Sequence, residues 1–206
     1  MSFQNIEGGG RCCTERVCIQ VKKVFDACLN QATAENTSIV CTQVLPPSFT
    51  TPLQFVSGKS TSCVGRVTNL TVERLPEKQN FGRVQCDVEI PVEVCFIDYH
   101  CIECRGEGSI VVHEDVVMYL PDAAIMPYEV DASVSTVCPN GTYSGMNQGN
   151  PEFNVIACIT VILKITMPVE LLIPAYGYAE IPPCQEYAQE ICESFFELPL
   201  FPRNNG

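Results

Sequence analysis

Between residues 84 and 96, apolar and polar positions alternate without interruption. Val84, Cys86, Val88, Ile90, Val92, Val94 and Phe96 fall on one side, and Gln85, Asp87, Glu89, Pro91, Glu93 and Cys95 on the other. A period of two puts one set against a core and the other towards water, which predicts a strand. At ~3.3 Å per residue the run would reach about 43 Å, against a usual strand of roughly 5–6 residues. Pro91 has no N–H to give to a ladder, so an edge or a bulge is expected there. Residues 155–173 repeat the design: Val155, Ala157, Ile159, Val161, Leu163, Ile165, Met167, Val169, Leu171 and Ile173 share a side. Within these two strands, residues 88–94 and 165–171 match locally. Two proline-bulged amphipathic strands would show such a match, and so would the halves of a duplicated domain.

Other segments carry shorter versions of the pattern. Val17, Ile19 and Val21 alternate until Lys22-Lys23 shifts the phase, which predicts a first strand with a bulge or an end there. Residues 39–45 form a run stopped by Pro46-Pro47, and in residues 63–75 Leu70 and Val72 oppose Thr71 and Glu73. Pro76 to Asn80 reads as a polar turn, and the stretch from His100 through Gly106 and Gly108 as a glycine-containing one, before a strand at 109–120. Tyr128, Val130, Ala132, Val134, Thr136 and Cys138 make a further alternating run, and residues 139–154, rich in Gly, Asn and Ser, read as a surface loop. After Pro182-Pro183, Cys184, Tyr187, Ala188, Ile191, Cys192 and Phe195 recur at three- and four-residue steps. That spacing predicts an amphipathic helix, covering the domain's own sheet or docking on a partner. About eight strands and one terminal helix give an all-β expectation, a sandwich or jelly-roll-like domain. Residues 1–16 form a flexible Gly/Cys arm hinged at Gly8-Gly9-Gly10, residues 17–174 the β domain, and residues 175–206 an extended segment with the helix.

The chain has 206 residues, 46% of them hydrophobic, enough for a sizeable core. A net charge of -12 repels phosphate backbones, so nucleic acid is not an expected partner. The opening MSFQNIEGGG has neither a basic start nor an apolar run, and the apolar runs are far below the ~20 residues of a membrane span. A chain without an export signal or a membrane partner is therefore expected. Fourteen cysteines sit awkwardly with that reading, because a chain kept in a reducing compartment should not be rich in disulfides. Later exposure to an oxidising environment, or metal binding, would remove the conflict.

Cys101-x-x-Cys104 is the one C-x-x-C, and with Cys95 and His100 or His113 it could form a tetrahedral zinc site, the alternative to a purely structural reading. The second ligand pair of a strong zinc signature is missing, and a hairpin-tip disulfide, within or between subunits, is the preferred reading. Adjacent Cys12-Cys13 point in opposite directions on an extended arm, so each seeks a separate partner. No G-x-S-x-G elbow or phosphate loop is present, and Glu89 and Glu93 are about 13 Å apart on one strand face, too far for paired glycosidase carboxylates. A Cys-His hydrolase is the remaining enzyme class, with His100 and His113 more simply placed by hydrogen bonds. No catalytic residues, cofactor or resident metal are assigned. The triplets at Asn36, Asn69 and Asn140 that match a glycosylation acceptor read as accidental.

Residues 18–28, Cys-Ile-Gln-Val-Lys-Lys-Val-Phe-Asp-Ala-Cys, followed downstream by Asn80-Phe81-Gly82 entering the strand of Glu89 and Glu93, resemble cysteine-rich spore-surface proteins of clostridia and relatives. These are coat or exosporium proteins, some with domains of the sporulation-associated SPOCS type. The glycine arm with Cys12-Cys13 also resembles the N-terminal connectors of endospore appendage subunits, which join neighbouring β-sandwich subunits through disulfides. The C-terminal helix and the extra length depart from the appendage pattern. The resemblance implies a structural protein made in the mother-cell cytoplasm and placed on the spore surface. It would assemble with copies of itself and with other spore-surface proteins into a fibre or lattice. Cys12, Cys13, Cys18, Cys101 and Cys104 are then the candidates for cross-links between subunits.

Overall fold

The computed structural model describes residues 15–122 and 125–175. The arm with Cys12 and Cys13 and the helix expected after Pro183 lie outside the described residues. Eight strands make up the described chain: β1 (Glu15–Val40), β2 (Thr42–Leu45), β3 (Gln54–Ser60), β4 (Val64–Leu75), β5 (Lys78–Ile97), β6 (Glu103–Tyr119), β7 (Glu129–Asn147) and β8 (Asn150–Ala175). They form one antiparallel sheet in the order β1-β8-β7-β3-β5-β6-β2, with β4 also paired to β5 and β7. The all-β expectation therefore holds. Residues Ile19–Leu171 make up one compact unit.

β5 is the expected strand, extended in both directions. The seven apolar residues from Val84 to Phe96 are all buried, and the intervening polar ones are half-buried. It pairs along its length with β6, from Phe81 opposite Tyr119 to Ile97 opposite Glu103. On its other side two short strands share the work: β4 covers the first half up to Glu89, and β3 the second half from Val92. Pro91 falls between them, so it stands in a central strand and not at the expected edge or bulge. Its carbonyl accepts the N–H of Thr61 at 3.0 Å across the break between β3 and β4. Residues of an antiparallel ladder direct N–H and C=O to the same side, so the missing proline donor faces the one place on β5 where no ladder bond is required.

The inner face of β8, from Phe153 through Ile165, is buried as its alternation requires. Although β5 and β8 are not neighbours in the sheet, Phe96 and Phe153 lie 5.1 Å apart between ring centroids, so the sheet folds over and the two apolar faces pack on each other. Both rings are fully buried, each contributing about 1.5–3 kcal/mol by removal from water. Phe49, Phe55 and Tyr143 stack around them edge-on or tilted at 5.8–6.1 Å. The local match between 88–94 and 165–171 does not extend to burial: Val88, Ile90, Val92 and Val94 all join the core cluster, whereas of the matched row in β8 only Ile165 does, and Leu171 is exposed.

The phase shift at Lys22-Lys23, expected to be a bulge or an end, is not an end: β1 continues from Glu15 to Val40. Residues 139–154 are not a loop, because β7 and β8 pair through them and turn only at Gln148-Gly149. The register slips between Val137 and Asn140 and between Tyr143 and Gly145, and these bulges scramble the period of two that marks a strand in sequence. In β4 a similar slip surrounds Asn69, at φ 51°, and leaves Leu70 exposed.

β1 and β2, separated only by Cys41, sit at opposite ends of the strand order, so this single stretch of chain joins the two edges of the sheet. Cys41 donates its N–H to the Pro151 carbonyl of β8, while Thr42 pairs with Glu107 of β6. The crossing needs close backbone approach, and the glycines once assigned to a turn provide it. A Cβ on Gly106 would stand 2.6 Å from the Cys41 Cβ, and one on Gly108 would stand 2.5 Å from Ile39 Cγ2 and 3.0 Å from the Val40 carbonyl oxygen. Gly106 and Gly108 therefore lie within β6, and the turn is confined to the residues before Glu103. Replacing Gly108 with Val should lower stability by about 1–3 kcal/mol, the usual cost of overpacking, with no loss of sheet content. Urea denaturation followed by circular dichroism measures this, and an unchanged midpoint would contradict the close crossing.

Candidate functional site

The most elaborately built feature of the surface is the turn between β5 and β6. Asp98, 5% exposed, receives three backbone N–H groups on its carboxylate. Its Oδ1 accepts from His100 at 2.8 Å and Ile102 at 2.9 Å, and its Oδ2 accepts from Thr50 at 3.2 Å. Asp98 N–H is given to the Ile102 carbonyl and Cys101 N–H to the Asp98 carbonyl, both at 3.0 Å. These bonds hold the Asp98 carboxyl below its ordinary range, the Ile102 contact first, against a smaller upward effect of burial. They also keep Cys101 in the left-handed region at φ 61°, which costs a non-glycine residue about 1–2 kcal/mol. Cys101, Tyr99 and Ile102 are consequently displayed in solvent on a fixed turn.

The sequence candidates separate by exposure. Cys18 and Cys101 are exposed. Cys104 is fully buried on the inner face of β6, and burial raises its thiol. Two exposed thiols were not singled out from sequence, Cys63 in the β3–β4 connection and Cys158 on β8. Cys158 stands on the polar side of the alternation between Ala157 and Ile159, so the pattern that buries those two could have revealed it. Cys63 follows Ser62, whose hydroxyl accepts the Val64 N–H, and no periodic signal marks it. Burial pushes Cys41 up to about 12, and burial with a smaller contribution from Cys158 pushes Cys138 up to about 11. Interior thiols held in the protonated form are poor nucleophiles and poor metal ligands. No disulfide joins two of the described cysteines.

The zinc grouping is not assembled. Cys95 pairs with Arg105 on the outer face of the β5–β6 ladder, whereas Cys104 is opposite Phe96 on the inner face. Two ligands on opposite faces of one sheet cannot share a tetrahedral ion, and among the described residues no group of three or more Cys, His, Asp or Glu could hold a metal. His100 stacks edge-on against Tyr99, and His113 Nδ1 lies 2.9 Å from Asp87 Oδ1. Asp87 also accepts the Asn69 amide at 2.7 Å, which gives the first residue of one glycosylation-like triplet a place in a cross-strand network. Further along that outer face, Arg83 bonds Asp115 through Nε at 2.7 Å and Gln85 bonds it at 3.2 Å. The arrangement is a ladder of charge pairs on an open sheet face.

Across 235 aligned residues the chain is 26% identical to exosporium protein A of Clostridium sporogenes (strain ATCC 15579), an alignment covering 90% of this chain and 72% of that protein. No family model matches the chain, and no solved structure matches it.

The lowered Asp98 carboxyl fixes the sign of a pH effect. A carboxylate depressed in the folded state stabilises it fully above the ordinary value of 3.8, and that contribution disappears as pH falls through the lower folded value. Asp98→Asn should therefore lower the urea midpoint at neutral pH, and the gap from the parent should narrow as pH is taken well below 3.8. A gap that stays constant with pH would contradict the assigned role of the charge.

Proposed function

We infer that this chain is a structural protein of the spore surface, built to assemble with copies of itself and with other surface proteins. The observation that carries the reading is its likeness to an exosporium protein along 90% of its length. The fold is compatible with it: long strands, an apolar core and an open charged face, with the carefully built turn presenting a thiol where an enzyme would present a cleft. In this reading the folded-over sheet is a sandwich-like body, and neighbouring copies meet through strand edges and through the arm of residues 1–16. The assembly forms a fibre or lattice.

Disulfides between copies then make the assembly resistant. Cys63, Cys101 and Cys158 are described thiols available for such bonds, because they stand in solvent, and Cys18 is exposed as well. Cys104 would serve only after local opening of β6. One covalent bond per contact prevents dissociation while the bond lasts, even where the noncovalent contact is modest. Synthesis in the mother-cell cytoplasm and oxidation after that cell lyses would account for a thiol-rich chain.

Electron microscopy of the purified protein, with and without reductant, tests this reading. Ordered fibres or sheets that resist heat and detergent only when oxidised are expected. They should be weakened or lost in a variant lacking residues 1–16 and in one with the four exposed cysteines changed to serine. A protein that remains a dispersed monomer after oxidation at high concentration would overturn self-assembly.

A further inference from the structure

Two interior thiols are brought together by the path of β1 past β6. Every second side chain of this part of β1 addresses β6. Asp26 accepts the Tyr119 N–H at 2.7 Å, and Asn30 donates to both carboxylate oxygens of Glu114 at 3.1 and 3.0 Å. Cys28 lies midway between Asp26 and Asn30, which places it against β6 between Tyr119 and Glu114. In the β5–β6 ladder Val116 is opposite Val84, and Glu114 is opposite Cys86. Cys28 packs half-buried against the core that contains Cys86, itself 1% exposed. Burial first, and the Glu114 carboxylate after it, raise both thiols.

The geometry points to Cys28 and Cys86 as an internal disulfide pair that closes when the protein meets a disulfide oxidant, tying β1 to β5 through the core. Cys28 is the more accessible and reacts first. Its thiolate attacks a small disulfide R–S–S–R, forming Cys28–S–S–R and releasing R–S⁻, which takes up the proton lost by Cys28. The Cys86 thiolate then attacks the Cys28 sulfur of the mixed disulfide and expels the second R–S⁻, protonated in turn. Two protein thiols have given up two electrons and two protons, and the oxidant has become two R–SH molecules. Burial and the Glu114 charge oppose formation of both thiolates, so closure is slower than reaction at exposed cysteines.

The effect differs from cross-linking between copies and does not depend on assembly. β1 lies at one end of the strand order and β5 well inside it, so the bond spans strands that no ladder connects. It restricts the unfolded chain between residues 28 and 86 and holds the crossing strand in place.

The test uses the full chain, a mixture of isotope-labelled and unlabelled copies, oxidised with glutathione disulfide. Remaining thiols are alkylated, and the protein is digested without reduction for mass spectrometry. The expected result is a peptide joining Cys28 to Cys86 from the same copy. A rise in denaturant midpoint should accompany it, absent in Cys28→Ser and in Cys86→Ala. Recovery of both residues alkylated, or of either joined to another cysteine or to a different copy, would overturn the proposal. The map of the parent protein decides even if Cys86→Ala does not fold.

Discussion

The contact on which the rest of this structure depends is the one between the inner faces of β5 and β8. Each strand buries one continuous row of apolar side chains, and neither row can be covered by the strands beside it in the ladder. The sheet folds until the rows meet, with Phe96 against Phe153 where they come closest. Once this has happened, β6 is carried with β5 and β7 with β8, and the two free edges of the sheet have to be joined. The crossing of β1 into β2 does that, using Gly106 and Gly108 to pass directly over β6. Polar side chains finish the crossing: Asp26 and Asn30 on β6, and Lys22 on Glu129 and Asp131 of β7 at 2.8 and 2.7 Å. The lysine pairs are solvent-exposed and worth little to stability, so the crossing is held chiefly by burial around Ile39 and Cys41.

Strands that alternate without interruption were legible in sequence, and β5, the start of β8 and the first half of β7 fall where the pattern put them. The rest was hidden for physical reasons. Bulges near Asn140 and Gly145 advance one strand against its neighbour, so the second half of β7 reads as irregular although it is paired throughout. β1 has no constant buried face, because it serves β8 on one side and reaches β6 on the other. Pro91 could be placed only once β3 and β4 were seen to share one side of β5, since a proline in a central strand is otherwise excluded. The glycines of β6 looked like turn residues because close backbone approach and turn geometry ask for the same absence of a side chain.

For the thiols, sequence gave the number and the fold gives the meaning. Period two separates them: Cys86, Cys104 and Cys138 fall on inner faces, Cys95 and Cys158 on outer ones. The C-x-x-C at residues 101–104 is divided by the same rule, one thiol displayed on the Asp98 turn and the other sealed beneath Phe96. Spacing that suggests a shared ligand or a shared bond thus resolves into two cysteines with different surroundings and different reactivities. Interior thiols that exchanged freely with exterior ones would scramble the fold on oxidation, and the division prevents it.

That division is the central claim, and a disulfide map of the oxidised assembly tests it most directly. Labelled and unlabelled copies would be mixed before oxidation, so that bonds between copies are recognised by their mixed isotopes. Bonds between copies are predicted at exposed cysteines, among them Cys63, Cys101 and Cys158, with Cys41, Cys104 and Cys138 still free as thiols. Bonds between copies formed mainly by those three interior cysteines would contradict the account, since they could form only if the β5–β8 core opened during assembly.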